Sequence, residues 1–209
     1  MYSKTNLFNL EIINKTMTFT LFPLKNFPNE LTATIFSILF VTILLIELRI
    51  LLRYSNNEED KGSLWLIVLG ILIPLIITIV LSYTNIGQIS TSVSYLGLTI
   101  LLVGFLLRQY SIFILGKFFT PVVEKQKDHK IIQHGLYKYI RHPSYTGLLL
   151  EITGFALSLS NIVSLIITLI FFIPAISYRI KIEEQFLSKQ FKEYEDYKKQ
   201  TRKLIPFVY

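Results

Sequence analysis

Three stretches of this chain are too long and too apolar for ordinary soluble helices. They are LTATIFSILFVTILLIELRILL (31–52), SLWLIVLGILIPLIITIVLSY (63–83) and SVSYLGLTILLVGFLLRQYSIFILG (92–116). A helix of about 20 apolar residues crosses the hydrocarbon of a bilayer. Within that hydrocarbon only helices and closed barrels satisfy their own backbone groups. Each run therefore reads as a membrane span. Further along, YTGLLLEITGFALSLS and IVSLIITLIFFIPAISY read as a tight helical hairpin over 144–178 that turns at Asn161, its first arm short for a span. The expected fold is all-α, a polytopic membrane protein of about five transmembrane helices.

Composition agrees. Of 209 residues 52% are hydrophobic and 17% charged, against roughly 25% charged in soluble domains. The absence of cysteine excludes disulfides, thiolate metal sites and cysteine nucleophiles. A net charge of +7 would suit nucleic acid, but these cations flank apolar runs, which points to membrane lipids as partners and not to nucleic acid. The loops at 84–91 and Ser160–Asn161 carry no charge, whereas 117–142 carry Lys117, Lys125, Lys127, Lys130, Lys138 and Arg141. The tail from Arg179 is denser still. Basic connections belong on the cytoplasmic side, so both segments are expected there, with the amino terminus outside. Three lysines in the first 30 residues argue against that last placement. Residues 1–30 lack an apolar core followed by small residues, so an interfacial segment is expected rather than a cleavable signal. Apolar and aromatic residues at 182, 186, 187, 191, 194 and 197 have helical spacing. They predict an amphipathic helix over the cytoplasmic surface, ending before Pro206. One membrane domain, 1–209, is the economical division, with the first three spans in 31–116 and the remaining elements in 117–209.

The stretch HKIIQHGLYKYIRHPSYTG (129–147) holds all three histidines. Proline suits the first position of a helix and disfavours helical angles in the residue before it. A helix is therefore predicted to begin at Pro143 with His142 at its cap. The amides of Ser144 and Tyr145 would then point out of its end, where a carboxylate or phosphate can sit. An ordinary loop-to-helix boundary with a snorkelling Arg141 explains the same residues. Histidine spacings of five and eight match no zinc pattern, so no metal is expected. Arg179 and Glu183 are four apart on one helix face, with Glu184 about 100° further round. They are either a surface ion pair or, because ionisable groups at membrane depth are expensive, part of a site. Neither glycine-rich nucleotide-binding motif is present.

Taken together, HKIIQHGLYKYIRHPSYTG, RIKIEE (179–184), FKEYEDY (191–197) and the pair Ile205–Pro206 resemble the isoprenylcysteine carboxyl methyltransferase family. The resemblance covers about residues 92–209. It implies a multi-pass membrane enzyme moving a methyl group from S-adenosylmethionine to the carboxylate of a prenylated cysteine. It also implies a cytoplasmic cofactor pocket closed by the carboxy-terminal helix. By that resemblance His129, Lys130, Ile131 and Ile132 would line the adenosine. Tyr137 would pack on the cofactor, and His142, Pro143, Ser144 and Tyr145 would hold it at the helix start. Glu183 would take its ammonium, and Arg179 would face the acceptor carboxylate, making Arg179 and Glu183 the catalytic pair. The lipophilic substrate would enter from the bilayer between the third to fifth spans. Alternatives are transfer to a phospholipid amine or small thiol on the same scaffold, a nicotinamide-dependent membrane reductase, and a non-catalytic scaffold.

Overall fold

The computed structural model describes residues 20–52, 60–123 and 130–204. Expectations for residues 1–19, for Lys125, Lys127 and His129, and for Ile205 and Pro206 lie outside the described residues. The elements are α1 (Glu30–Leu51), α2 (Ser63–Ser82), α3 (Val93–Leu115), α4 (Pro143–Ser158), α5 (Ile162–Gln190) and α6 (Tyr194–Gln200). Short 3-10 turns lie at Leu24–Asn26, Gly116–Phe118 and Gly135–Lys138. No strand occurs among the described residues.

Local chemistry explains the helix boundaries. Asn29 caps α1 by accepting from the Thr32 amide at 2.9 Å, and Asn161 caps α5 by accepting from the Ser164 amide at 2.9 Å. Such caps satisfy amides that have no partner inside the helix. For α2, Asp60 accepts from the Leu64 amide at 2.9 Å. Pro143 opens α4 with His142 at the cap, as its fixed backbone angle predicts. Gly116 ends α3 at φ +54°.

Four helices are long and apolar enough to cross a membrane: α1, α2, α3 and α5. The sequence reading of about five spans thus resolves into four long helices and a short fifth. With 16 residues α4 rises about 24 Å, less than the roughly 30 Å hydrocarbon thickness. Large apolar residues on the outer faces, among them Leu45, Leu96, Leu106 and Phe113, are exposed. That pattern suits helices bathed in lipid rather than water.

The short helix is held by close backbone approach to α3. A Cβ at Gly97 would lie 2.2 Å from the Ser158 nitrogen, and one at Gly154 would lie 2.3 Å from the Leu101 nitrogen. One at Gly104 would meet the Glu151 nitrogen at 2.6 Å, and one at Gly147 the Arg108 backbone nitrogen at 2.7 Å. Lipid tails are as apolar as leucine, so small residues that let backbones meet are what bring membrane helices together. A similar contact, between Gly70 and Ala175, joins α2 to α5. Phe22, Phe27, Phe36, Phe40 and Phe155 fill the end of the bundle away from His142.

The tail differs from the single amphipathic helix expected. Helix α5 runs unbroken past Arg179 to Gln190, and the backbone extends at Phe191 before α6 begins. The end of the tail is stitched to the segment before α4. The Arg141 amide donates to the Arg202 carbonyl at 2.8 Å, and the His142 amide donates to the Lys203 carbonyl at 3.0 Å.

Because backbone atoms cannot yield as a flexible side chain does, Gly154→Val should cost about 3 kcal/mol or more by overpacking. Denaturant unfolding in detergent micelles checks this. Gly62→Ala, at a position with no heavy atom of the described residues within 4 Å of its absent Cβ but with φ +69°, should cost about 1 kcal/mol from backbone strain.

Candidate active site

Arg179 sits two-thirds of the way along α5 and is 2% exposed. Its Nη1 donates to the Asp60 carboxylate and, at 2.7 Å, to Ser63 Oγ. Its Nη2 donates to the Pro121 carbonyl at 2.9 Å, and its Nε to the Tyr145 hydroxyl at 3.0 Å. A guanidinium has five donor hydrogens, so these four bonds leave one Nη2 hydrogen without a partner among the described residues. Tyr145 in turn donates to Glu183 Oε2 at 2.8 Å. A polar chain therefore runs Asp60–Arg179–Tyr145–Glu183 and ties the start of α2, the start of α4 and the end of α5 together.

His142 and Arg141 extend it. Arg141 Nε donates to Glu184 Oε1 at 2.7 Å. His142 Nε2 lies 3.3 Å from the same oxygen and its Nδ1 3.9 Å from Glu183 Oε2. The two adjacent glutamates thus have different tasks: Glu184 clamps the arginine–histidine segment, while Glu183 faces a cleft.

That cleft lies between the 3-10 turn at Gly135–Lys138, the start of α4, the end of α5 and α6. Of the residues singled out in the sequence, Lys130, Ile131, Ile132, Tyr137, His142, Ser144, Tyr145, Arg179 and Glu183 line it. His129 is outside the described residues. Pro143 does not line the cleft; it is fully buried and sets the helix start instead. The Tyr145 amide is also not free, since it donates to the His142 carbonyl at 3.1 Å. The expected anion seat of two open amides at this helix end is thus reduced by one.

Several cleft residues had not been assigned to a site: Phe118, Phe119, Thr120, and the tail-helix positions Phe186, Tyr194 and Tyr197. Tyr194 matters most, because it is 2% exposed and its hydroxyl has no hydrogen-bond partner among the described residues. Burial pushes the Tyr137, Tyr194 and Tyr197 phenols up, so all three are neutral donors at physiological pH. Their aromatic and helical spacing was legible, but what they face was not. Asp60 gave no signal at all in a loop of mixed charge.

A second, apolar groove lies between α1 and α2, lined by Leu44, Leu48, Leu64, Ile67 and Leu148 among others. It shares Phe119, Thr120, Tyr145 and Arg179 with the cleft. The sequence reading placed a lipid opening between the third to fifth spans. The apolar groove is walled mainly by the first two, with Arg108, Tyr145, Leu148 and Arg179 contributed by the other three, while α3 and α4 are closed on each other by their glycines.

This geometry stands beside three comparisons. Residues 96–189 match the model of the isoprenylcysteine carboxyl methyltransferase (ICMT) family. The family resemblance read from the motifs is thereby borne out. The chain is 34% identical over 119 residues to a probable protein-S-isoprenylcysteine O-methyltransferase of Oryza sativa subsp. indica, covering 56% of this chain and 62% of the rice protein. It is 34% identical to the protein-S-isoprenylcysteine O-methyltransferase of Saccharomyces cerevisiae, covering 54% of this chain and 48% of the yeast protein. A solved structure of the eukaryotic intramembrane Ras methyltransferase ICMT, without a monobody, matches with a TM-score of 0.53 at 27% identity. The match covers 68% of this chain and 52% of that one. The chain thus spans less than two thirds of the length of these relatives. With its apolar helices, the match makes this a multi-pass integral membrane protein.

Asp60 provides a test of the polar chain. Burial pushes its carboxyl up, but the Leu64 amide, the charge of Arg179 and the Val123 amide outweigh this and leave the pKa below 3.8. A depressed carboxylate stabilises the fold above its unfolded value and stops doing so as pH falls through its folded value. Asp60→Asn should cost about 3–5 kcal/mol at pH 7, since it leaves Arg179 uncompensated. Melting in detergent should show the gap between wild type and variant shrinking below pH 3.8.

Proposed function

We propose that this protein is a methyltransferase that moves a methyl group from S-adenosylmethionine to the carboxylate of a lipophilic, isoprenylcysteine-type acceptor, at the cytoplasmic surface of a membrane. One observation carries the reading. A polar, aromatic-lined cleft and an apolar groove meet at Tyr145 and Arg179, with Glu183 one hydrogen bond away. Two reactants of opposite solubility can be brought together only where water and lipid compartments share a wall. The names of the rice and yeast relatives, both protein-S-isoprenylcysteine O-methyltransferases, support the same chemistry.

The cleft fits such a cofactor. It offers an uncommitted glutamate oxygen for an ammonium, aromatic faces for a sulfonium and adenine, and the orphan Tyr194 hydroxyl for a polar group. When bound, S-adenosylmethionine would supply a sulfonium methyl open to attack by a carboxylate oxygen, the C–O bond forming as the C–S bond breaks and the neutral thioether leaves, so no proton needs to move. The chain's own residues then have to bind, align and exclude water. Glu183 would hold the cationic end, while Lys130, Ile131, Ile132 and, outside the described residues, His129 would line the adenosine. His142, Ser144 and Tyr145 would wall the cofactor at the helix start, with Pro143 setting that start. Tyr137, Tyr194 and Tyr197 would cover it from the tail side and the 137 turn. Arg179 would orient the acceptor carboxylate with its remaining Nη2 hydrogen. Asp60 and Ser63 would keep the guanidinium plane from turning. A carboxylate is ionised at neutral pH, so an orienting cation replaces a general base.

Glu183→Ala should weaken S-adenosylmethionine binding about tenfold or more, measured by calorimetry in detergent. Unchanged affinity would remove Glu183 from the site. Arg179→Lys keeps the charge opposite Asp60 but loses the planar fork. It should lower kcat/KM for a prenylated-cysteine acceptor about a hundredfold, with cofactor affinity within about twofold of wild type. Wild-type turnover in that variant would end the carboxylate-orienting role.

A further inference from the structure

The apolar groove continues into a deeper chamber. Leu44, Glu47, Ile71, Leu75 and Leu148 line both. The chamber adds Phe40, Ile43, Pro74 and Phe155, which is the lining expected for a hydrocarbon tail, but it also adds Glu151, Thr78 and Thr168. Glu151 is 3% exposed and Thr78 1% exposed. Glu151 Oε1 and Thr78 Oγ1 have no hydrogen-bond partner among the described residues.

An unpaired polar oxygen inside a membrane bundle is costly, because no water is at hand to solvate it. The obvious partner for Glu151 is Arg108, close enough for its charge to act on the carboxyl. Yet three of the five donor hydrogens of Arg108 are engaged elsewhere. Nε and Nη2 clasp Glu47 at 2.6 and 2.7 Å, and Nη1 reaches the Ser144 carbonyl at 3.4 Å. Glu47 thus neutralises Arg108 and leaves Glu151 facing the chamber. Hydrocarbon alone would be served better by Leu and Val at positions 151 and 78.

We infer that this chamber is a binding site for a lipid chain that carries a hydroxyl group, which Glu151 and Thr78 recognise. This rests on the proposed acceptor entering by the groove, and it adds a requirement on the tail rather than the head. Six residues of α4 separate Tyr145 from Glu151, a rise of about 9 Å. The hydroxyl therefore belongs about that far along the chain from the carboxylate held at Arg179. A hydroxyl placed there can donate to Glu151 Oε1 and accept from the Thr78 hydroxyl, so both orphan oxygens become hydrogen-bonded, and a plain chain does neither. The chamber consequently discriminates by what the plain chain leaves unpaired.

The test compares N-acetyl-S-farnesylcysteine with analogues bearing a hydroxyl or an amine on the first or second isoprene unit. Binding to the purified protein is measured by calorimetry in detergent, and methylation separately with labelled S-adenosylmethionine. Wild type should bind a hydroxylated analogue about tenfold more tightly than the plain one. Thr78→Val and Glu151→Leu, both apolar replacements of similar shape, should each remove most of that preference. Equal binding of plain and hydroxylated chains by wild type overturns the inference, as does a stronger preference for the amine. Binding that shows the hydroxyl preference without any methylation would leave the chamber assigned and sink the acceptor class proposed above. Methylation of both chains with no binding preference would do the reverse.

Discussion

A guanidinium buried at the edge of a membrane must be neutralised and have its donors satisfied, or the fold around it fails. In this protein Arg179 meets that demand with Asp60 and Ser63 from the start of α2, the Pro121 carbonyl from the connection after α3, and the Tyr145 hydroxyl from α4. One side chain of α5 thereby collects three other pieces of chain. The site follows from that collection, since Tyr145 carries the link on to Glu183 and places it on the cleft wall. Satisfying a buried charge and building the wall of the cleft are here the same set of hydrogen bonds.

The bundle reaches this arrangement with a helix too short to span. Helix α4 begins at the cleft and stops at Ser158, where Ser160 turns the chain at φ +52° and hands it to Asn161, the cap of α5. Its glycines at 147 and 154 lie against Gly104 and Gly97 of α3, the antiparallel pairing expected of two stripes with a seven-residue spacing. That backbone contact shuts the α3–α4 side to lipid. The open side is left to α1 and α2, whose facing surfaces form the apolar groove. Which faces of the bundle close is therefore decided by where glycines are, not by where the most apolar helices are.

Much of this was legible in advance, and particular residues show why. The three apolar runs matched α1, α2 and α3 to within about two residues, because burial in lipid leaves a signal in every residue of the helix. Pro143 announced the start of α4 through its own backbone geometry. Arg179 and Glu183 stood out as charges at the edge of an apolar run. Asp60, Tyr194 and the Arg141–Glu184 clasp did not stand out. Their meaning lies in contacts across 119 and 43 residues of sequence for Asp60–Arg179 and Arg141–Glu184, and local spacing carries no trace of such distances. The break at Phe191 was missed for a related reason: periodicity continued through it, while the tail was bending to pair with residues 139–142.

The sequence by itself determined that the chain forms apolar helices, where the first three begin and end, where α4 begins, and which polar residues lie at those boundaries. These are local matters, governed by hydropathy, capping and proline. Tertiary structure decided which helix faces are closed, which are open, and which carboxylate meets which cation. Those outcomes depend on backbones approaching within a few ångströms across long stretches of chain, and only a packed bundle can say whether an oxygen has found a partner.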